Sequence, residues 1–294
     1  MPRINHNIQS MYTSMALRRT DRALTGTLER LATGLSINRA SDNAAGLSVS
    51  EQLRKQISGT EMGNRNIQDG LSVLNIAEGA LTEIGNMLQR IRELAVQSST
   101  ATYSNTERDY MQIEVQFLSD EIDRIAACTQ FNKMSLLNGD TGTSFNPNNW
   151  GDSTNGAFIH VSAGYSASDD VLNIKLGVTN CKALGIKDIL GNQILLVNSA
   201  TGAQAAIADV DDAITELSSI RARIGAYSNR LDSALTNQQN MIANMISAES
   251  VIRDTNYASE MSDFVRLNVL QQSSTAMLSQ ANSLPNNILS LLNQ

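Results

Sequence analysis

The chain has 294 residues, a formal net charge of −7 and only 4 % aromatic residues. So few aromatic side chains argue against the core of an ordinary compact globule and indicate a thin protein of packed aliphatic helices. The negative charge argues against nucleic acid as a partner, and the lack of an apolar run long enough to cross a bilayer argues against a membrane protein.

The first predicted element is a helix in an N-terminal arm, residues 1–43. Its apolar residues recur at alternating spacings of three and four. They are Ile4, Ile8, Met11 and Met15, followed by Leu24, Leu28, Leu31 and Leu35. Such a stripe covers about two sevenths of a helix surface and needs a second helix to cover it. We therefore predict that the arm pairs with the opposite arm or with another molecule.

A longer helical pattern follows from about 44 to 98, within a predicted segment 44–139. Its apolar residues lie seven apart: Ile67, Leu74, Leu81, Leu88 and Ala95. Glycine interrupts the pattern at Gly63, Gly70, Gly79 and Gly85. Each glycine costs a helix about 1 kcal/mol relative to alanine, so we expect another helix to approach closely there. The sequence from Ser104 to Glu107 has the form of a capping box and predicts the start of a second helix.

The sequence changes character between 140 and 205, where Gly, Ser, Thr, Asn and Asp are frequent. Two stretches alternate between apolar and other residues: Ile159, Val161, Ala163, and then Leu172, Ile174, Leu176, Val178. Alternation of this kind predicts half-buried strands. We expect a small β-containing module that projects outward from the helical part.

Helix returns over 206–253 with the strongest periodicity of the chain. Nine apolar residues follow steps of four and three: Val210, Ile214, Leu217, Ile224, Leu231, Leu235, Ile242, Met245 and Ile252. The periodic stretch 210–252 makes a helix of roughly 64 Å, which is longer than a compact domain needs. A C-terminal arm, 254–294, then carries its own stripe, interrupted by Ser274: Leu267, Leu270, Met277, Ala281, Leu284, Ile288 and Leu291.

The two arms carry opposite charge. Residues 1–40 contain six Arg against Asp21 and Glu29, a balance of +4, and residues 254–294 contain Asp254, Glu260 and Asp263 against Arg266, a balance of −2. Exposed ion pairs contribute roughly 0–1 kcal/mol each, so this pattern either favours pairing of the arms modestly or marks two solvated faces. Together the patterns predict a mainly α fold: a long antiparallel helical hairpin or coiled-coil bundle from both termini, with a small β-containing central module.

Cysteine and histidine are too scarce for the chemistry that they usually support. Cys128 and Cys181 are the only cysteines, and we expect Cys128 to be a buried free thiol, with a bridge between the two as the minority alternative. His6 and His160 are the only histidines, which argues against a histidine metal site or triad. We predict no enzyme and no cofactor. The lack of a basic and apolar leader predicts export without a cleaved signal peptide.

Six stretches resemble the signatures of bacterial flagellins. In chain order they are 35–47 (LSINRASDNAAGL), 88–97 (LQRIRELAVQ), 129–139, 267–272, 276–282 and 284–292. The resemblance covers about 1–139 and 206–294. Lys133 departs from it, because the family usually has a small residue after the Phe–Asn pair. Two cysteines and a short central insert are further departures.

The resemblance implies a structural subunit that polymerises into the bacterial flagellar filament for motility. In this family the two arms form an inner coiled coil, which would assign the arm stripes named above to assembly. The family is exported unfolded by the flagellar type III apparatus, which implies an export chaperone on the C-terminal arm and contacts with filament cap and junction proteins. The expected location is the secreted flagellum, outside the cell or in the periplasm.

The helix over 88–97 has two implied roles, subunit packing and recognition by a host Toll-like receptor. The residues concerned are Leu88, Gln89, Arg90, Glu93, Leu94 and Gln97, together with Glu114 on the adjacent helix. Arg90, Glu93 and Gln97 share one helix face because they are three and seven residues apart.

The main alternative is a hook–filament junction protein, which resembles flagellin at both ends and would form short rings or caps. An enzyme on a filament-like scaffold would need a convergent catalytic set, and no such set is found in the sequence. A type III translocator would need a membrane-inserting apolar hairpin, and no stretch of the sequence is long and apolar enough.

Overall fold

The structure is a computed structural model that describes residues 7–139, 150, 156–164, 166, 170–187 and 194–292. Side chains are described as far as Ser283. Ile4 and His6 therefore lie outside the described residues, as do the side chains of Leu284, Ile288 and Leu291.

The described residues form five helices and four short strands. The helices are α1 (Ile8–Thr33), α2 (Ala44–Ser99), α3 (Asn105–Cys128), α4 (Ala200–Arg253) and α5 (Tyr257–Leu292). The strands are β1 (Gln130–Phe131), β2 (Met134–Ser135), β3 (Ala157–His160) and β4 (Val171–Ile174), paired as two antiparallel ribbons, β1 with β2 and β3 with β4. The prediction of a mainly α fold with a small β-containing module is confirmed. In the described part of the chain, no helix is long and apolar enough to span a membrane.

The chain divides into two compact units. The terminal unit contains α1, the start of α2 up to Gln56, the end of α4 from Ala243, and α5. The central unit is Ile57–Ile242. Both boundaries fall inside long helices, whereas the sequence placed its divisions at 43/44 and 253/254, where one helix gives way to the next.

Segments of three helices build the core of the central unit, with α3 and α4 each antiparallel to α2. The predicted stripe of α2 is fully buried from Ile67 to Ala95, and Val115 and Ile122 of α3 are buried against the same cluster. From α4 the cluster takes Val210, Leu217, Ile224 and Leu231. Ion pairs fix the direction of packing, because Glu78 of α2 meets Arg221 at 2.6 Å and Arg92 meets Asp211 at 2.6 Å.

The glycines of α2 make room for a strand more than for a helix. A Cβ at Gly63 would collide with the carbonyl oxygen of Val161, and one at Gly70 would collide with the side chain of Ile159. Gly85 faces α4, where Leu217 lies 3.3 Å from an ideal Cβ, and Leu231 of α4 lies 3.5 Å from one at Gly70, whereas Gly79 has nothing within 4 Å. The prediction that a helix approaches all four glycines is therefore wrong, because the strand segment 159–161, the end of β3 and the residue after it, occupies the groove at Gly63 and Gly70.

The strand segment is also held on α2 and α4 by side-chain hydrogen bonds. Asn66 Nδ2 donates to the carbonyl oxygen of His160 at 3.0 Å, and Gln238, which is buried, donates to that of Val161. Ile159, Leu172 and other apolar side chains of the ribbon join the helical core. The expectation of a module projecting outward is wrong for this ribbon, which packs on the helices.

The short hairpin β1–β2 turns through two residues with left-handed backbone. Asn132 has φ 47° and Lys133 has φ 65°, and the residues on either side, Phe131 and Met134, are paired. Two positive φ values in a two-residue loop are typical of a type I′ turn, which favours glycine at the second position. This geometry explains why a lysine at position 133 is unusual.

The two cysteines are both free, and the environment of Cys128 is opposite to expectation. Cys128 ends α3 and is exposed, whereas Cys181 is buried and donates its thiol to the carbonyl oxygen of Ser119 at 3.1 Å. Burial raises the pKa of the Cys181 thiol well above its ordinary value, with the Asp123 charge acting in the same direction. The prediction of a buried Cys128 is wrong, because Cys128 lies on the outer side of the last turn of α3.

Candidate assembly surfaces

The N-terminal and C-terminal arms pair as antiparallel helices. Asn7 Nδ2 donates to the carbonyl oxygen of Ala281 at 2.7 Å, near one end of the pair. Gln271 Nε2 donates to Asp21 in the middle at 2.8 Å, and the Tyr257 hydroxyl donates to the carbonyl oxygen of Leu31 at the other end at 3.0 Å. Contacts therefore run along the whole described length of α1.

The face of α1 that meets α5 is largely small and polar. Its covered positions include Ser10, Thr13, Ser14, Leu17, Asp21, Leu24, Thr27 and Leu31, of which Thr27 is fully buried. Ser10 donates its hydroxyl to Asn282 Oδ1 at 2.7 Å across the pair. Small polar side chains bury little apolar area, so these positions add little to the stability of the pairing within one subunit.

The predicted N-terminal stripe occupies two opposite faces of α1. The step from Met15 to Leu24 is nine residues, which is about two and a half turns of an α-helix. Leu24 and Leu31 therefore face α5, whereas Ile8, Met11 and Met15 face away from it. The latter three are 46 %, 54 % and 58 % exposed, beside Tyr12 at 67 %. We call the set Ile8, Met11, Tyr12 and Met15 the outward face of α1.

The helix α5 carries apolar residues around most of its circumference. Leu267 and Ala281 are buried against α1, at 9 % and 5 % exposure. Leu270 and Met277 lie on one flank at 43 % and 58 % exposure, and the opposite flank carries Met261, Val265 and Val269. Leu28 of α1 is 47 % exposed as well. Apolar side chains are thus exposed on more than one side of α5, and a single partner helix cannot cover them all.

Opposite charge between the arms produces one ion pair among the described residues. Arg30 Nη2 lies 2.6 Å from Glu260 Oε1, with the arginine 38 % and the glutamate 13 % exposed. Glu29 and Asp263 are instead paired within their own arms, with Arg39 and Arg266 respectively. The charge pattern thus contributes to arm pairing at a single point.

The stretch 35–47 forms the turn that leads from α1 into α2. Asp42 accepts hydrogen bonds from the backbone N–H groups of Arg39 at 2.9 Å and Asn38 at 3.2 Å, and these bonds lower the pKa of the Asp42 carboxyl. Asn43 Oδ1 accepts from the N–H of Gly46 at 2.9 Å and caps the start of α2. The Ser36 N–H donates to the carbonyl oxygen of Arg253 at 2.7 Å, which ties this turn to the end of α4.

The second predicted site lies on the central unit, around Arg90. Its guanidinium contacts Glu114 at 2.9 Å and Glu93 at 3.2 Å, and hydrogen bonds to Glu114 and then Glu93 raise the pKa of Arg90. Gln89 and Gln97 are exposed on the same helix, and Gln97 donates to the Tyr103 hydroxyl at 2.9 Å.

Two residues of the predicted Arg90 site are in the core instead. Leu88 is 0 % and Leu94 is 2 % exposed. Their positions on α2 turn them toward α3 and α4, so they support the exposed face from beneath and do not belong to it. The described residues contain no group of His, Cys, Asp and Glu that could hold a metal ion.

Known proteins resemble the chain along nearly its whole length. Residues 4–141 match the bacterial flagellin N-terminal helical region and residues 207–292 match the bacterial flagellin C-terminal helical region. The chain is 38 % identical over 289 residues to the flagellar filament 31.3 kDa core protein of Treponema maltophilum, covering 98 % of this chain and 99 % of that protein. It is 40 % identical over 312 residues to flagellin of Bacillus subtilis, covering 99 % of each. The chain belongs to the bacterial flagellin family.

This flagellin is therefore a structural subunit of the flagellar filament and not an enzyme, and it is located in the flagellum. Its family polymerises by self-association. A solved structure described as a flagellar hook-associated protein from Vibrio parahaemolyticus aligns with a TM-score of 0.56 at 16 % identity, covering 72 % of this chain and 99 % of that one. At this identity the likeness concerns the fold alone, so the junction-protein alternative gains no support.

Sequence reasoning missed the polar residues that line the flagellin arm pair. Ser10, Ser14 and Thr27 carry no apolar signal, although they lie in phase with Leu17, Leu24 and Leu31 at steps of three and four. Following the helical phase continuously through α1, and not only the apolar residues, would have revealed them. Tyr12 on the outward face was missed because the predicted stripe followed positions 4, 8, 11 and 15 only.

Proposed function

We propose that this flagellin enters the filament by burying the outward face of α1 and both flanks of α5 between neighbouring copies. The paired arms then form the inner coiled coil of the filament. The observation that carries this proposal is the inverted polarity of the arm pair. Polar residues hold most of the covered positions of α1 within one subunit, whereas Ile8, Met11, Met15, Leu270 and Met277 are left exposed.

The polarity of the arm pair has an energetic consequence. Burying apolar surface gains roughly 25 cal/mol per Å², and Ile8, Met11, Met15, Leu270 and Met277 are each between 43 % and 58 % exposed in the single subunit. The free energy that orders the arms must therefore come mainly from neighbours, because an unpartnered stripe does not offset its conformational entropy. We assign the arm stripes of the sequence, from Ile4 to Leu35 and from Leu267 to Leu291, to this assembly.

Charge on the uncovered stripe tests the proposal. Leu28→Asp or Leu270→Asp should abolish seeded polymerisation, because each places a carboxylate where a neighbour is proposed to pack. Both leucines are nearly half exposed in the single subunit, so the central helices should keep their circular dichroism. Leu28→Met and Leu270→Met, which conserve volume and polarity, are the matched controls and should polymerise. Normal filaments from either aspartate variant would contradict the proposal.

We further propose that the chain is exported unfolded by the flagellar type III apparatus, outside the cell or into the periplasm. A flagellar export chaperone would cover the C-terminal arm beforehand, and cap and junction proteins would contact the assembled subunit. The support is α5, whose apolar circumference needs cover in the free chain. Titration of the chaperone should show binding to the full chain and none to a chain lacking 254–294. Equal binding of both chains would contradict this role.

A Toll-like receptor is a further proposed partner, at the exposed face formed by Gln89, Arg90, Glu93, Gln97 and Glu114. The support is the solvent-exposed Arg90, which the two glutamates hold in one position. In a receptor-reporter assay, Arg90→Ala should lower the potency of the monomer by about tenfold or more, as loss of an interface arginine typically does. Arg124→Ala removes a comparable exposed, ion-paired arginine and should have no effect. Equal potency of both variants would contradict recognition at this face.

A further inference from the structure

Exposed methionine is concentrated on the arm helices. Met11 and Met15 of α1 are 54 % and 58 % exposed, and Met261 and Met277 of α5 are 48 % and 58 % exposed. In the described part of the chain the other exposed methionine is Met62 of α2, at 53 %. Those that are buried or partly buried all lie outside the arm helices α1 and α5: Met87, Met111, Met134, Met241 and Met245.

An exposed methionine thioether is open to two-electron oxidants such as peroxides. The sulfur lone pair attacks one oxygen of hydrogen peroxide, so that an S–O bond forms and the O–O bond breaks. The sulfur is oxidised to a sulfoxide, and the peroxide, after proton transfer, is reduced to water. The product is a polar and chiral group in place of a flexible apolar one.

We propose that Met11, Met15, Met261 and Met277 form an oxidation site through which peroxides block entry of the free subunit into the filament. The inference rests on the proposed function, in which the faces that carry these methionines become buried between copies. A sulfoxide oxygen buried there without a hydrogen-bond donor opposes association. Burial in the filament in turn shields the same thioethers, so the site acts on subunits before assembly.

A competition within one sample tests this without any methionine variant. Monomer carrying Cys128→Ser, which removes the exposed thiol, is partially oxidised with hydrogen peroxide, seeded, and separated into pellet and supernatant. Peptide mass spectrometry then measures each sulfoxide in both fractions. The four arm sulfoxides should be depleted from the pellet by about tenfold, the factor that roughly 1.4 kcal/mol of lost association energy gives. Met62 sulfoxide is the internal control and should be depleted less. Equal depletion of arm and Met62 sulfoxides would overturn the inference.

Variants give a second and independent outcome. A chain with Met11, Met15, Met261 and Met277 all changed to Leu should polymerise after peroxide treatment, whereas Met62→Leu should be inhibited like the parent. A methionine sulfoxide reductase should restore polymerisation of the oxidised parent. If oxidised parent polymerises normally while Leu270→Asp does not, the inference fails and the proposed function stands. If Leu270→Asp polymerises normally, the proposed function itself fails.

Discussion

At the scale of single residues, the left-handed backbone of the β1–β2 turn strains Lys133. Lys133 has φ 65°, a conformation in which a side chain with a Cβ is strained by roughly 1 kcal/mol relative to glycine. Its departure from the small residue of the family was visible in the sequence. The strain was not, because it depends on how Phe131 and Met134 pair.

We therefore expect Lys133→Gly to stabilise the protein. The gain in the free energy of unfolding of the central unit should be up to about 1 kcal/mol, since glycine adopts this backbone without strain although it also raises the entropy of the unfolded chain. Denaturant unfolding monitored by circular dichroism measures the change. Lys182→Gly, at another exposed lysine, is the control and should not stabilise. A loss of stability in Lys133→Gly would contradict the strained turn.

Two glycines of α2 should respond in opposite ways to the same substitution. Gly63→Ala should destabilise the central unit by roughly 1–3 kcal/mol, because the new methyl group would displace the backbone at Val161. Gly79→Ala should stabilise it by up to about 1 kcal/mol, because nothing lies within 4 Å and alanine favours helix. Chemical denaturation of both variants compares them directly. If the two substitutions had the same effect, the strand would not occupy the groove at Gly63.

At the scale of elements, most of the helices could be predicted from the sequence. The surfaces through which they pack could be predicted only in part. The apolar period predicted α2 and α4 because that signal is local. The contact of the strand segment with Gly63 and Gly70 joins residues about a hundred positions apart, so no local pattern could indicate it. The two faces of α1 were readable in principle, through the nine-residue step between Met15 and Leu24.

The pairing of α1 with α5 should become more stable if Ser274, the polar interruption of the C-terminal stripe, is replaced by an apolar residue. Ser274 is half-buried toward α1, so Ser274→Leu should stabilise the arm pair by about 1 kcal/mol through added apolar burial. Helical content of the free monomer should rise and persist to higher temperature in circular dichroism. The adjacent Ser273 is exposed, and Ser273→Leu should leave the melting of the monomer unchanged. Identical melting of the two variants would contradict the placement of Ser274 at the contact between α1 and α5.

At the scale of the whole molecule, we infer different roles for the two units. The central unit has a continuous buried core of its own, to which α2, α3, α4 and the β3–β4 ribbon contribute. The terminal unit leaves much of its apolar surface exposed in the single chain, and we infer that it depends on other copies for its order. Composition, the terminal stripes and the family resemblance together predicted this division of roles. The division of the chain at Gln56 and Ile242 was not predicted, because it falls within unbroken helices.

Electron microscopy of the purified monomer, after addition of filament seeds or a precipitating salt, shows whether a subunit with uncovered apolar arms completes its structure by joining copies of itself. Long, uniform and hollow filaments are the predicted result. Persistent monomers, or short rings alone, would contradict it.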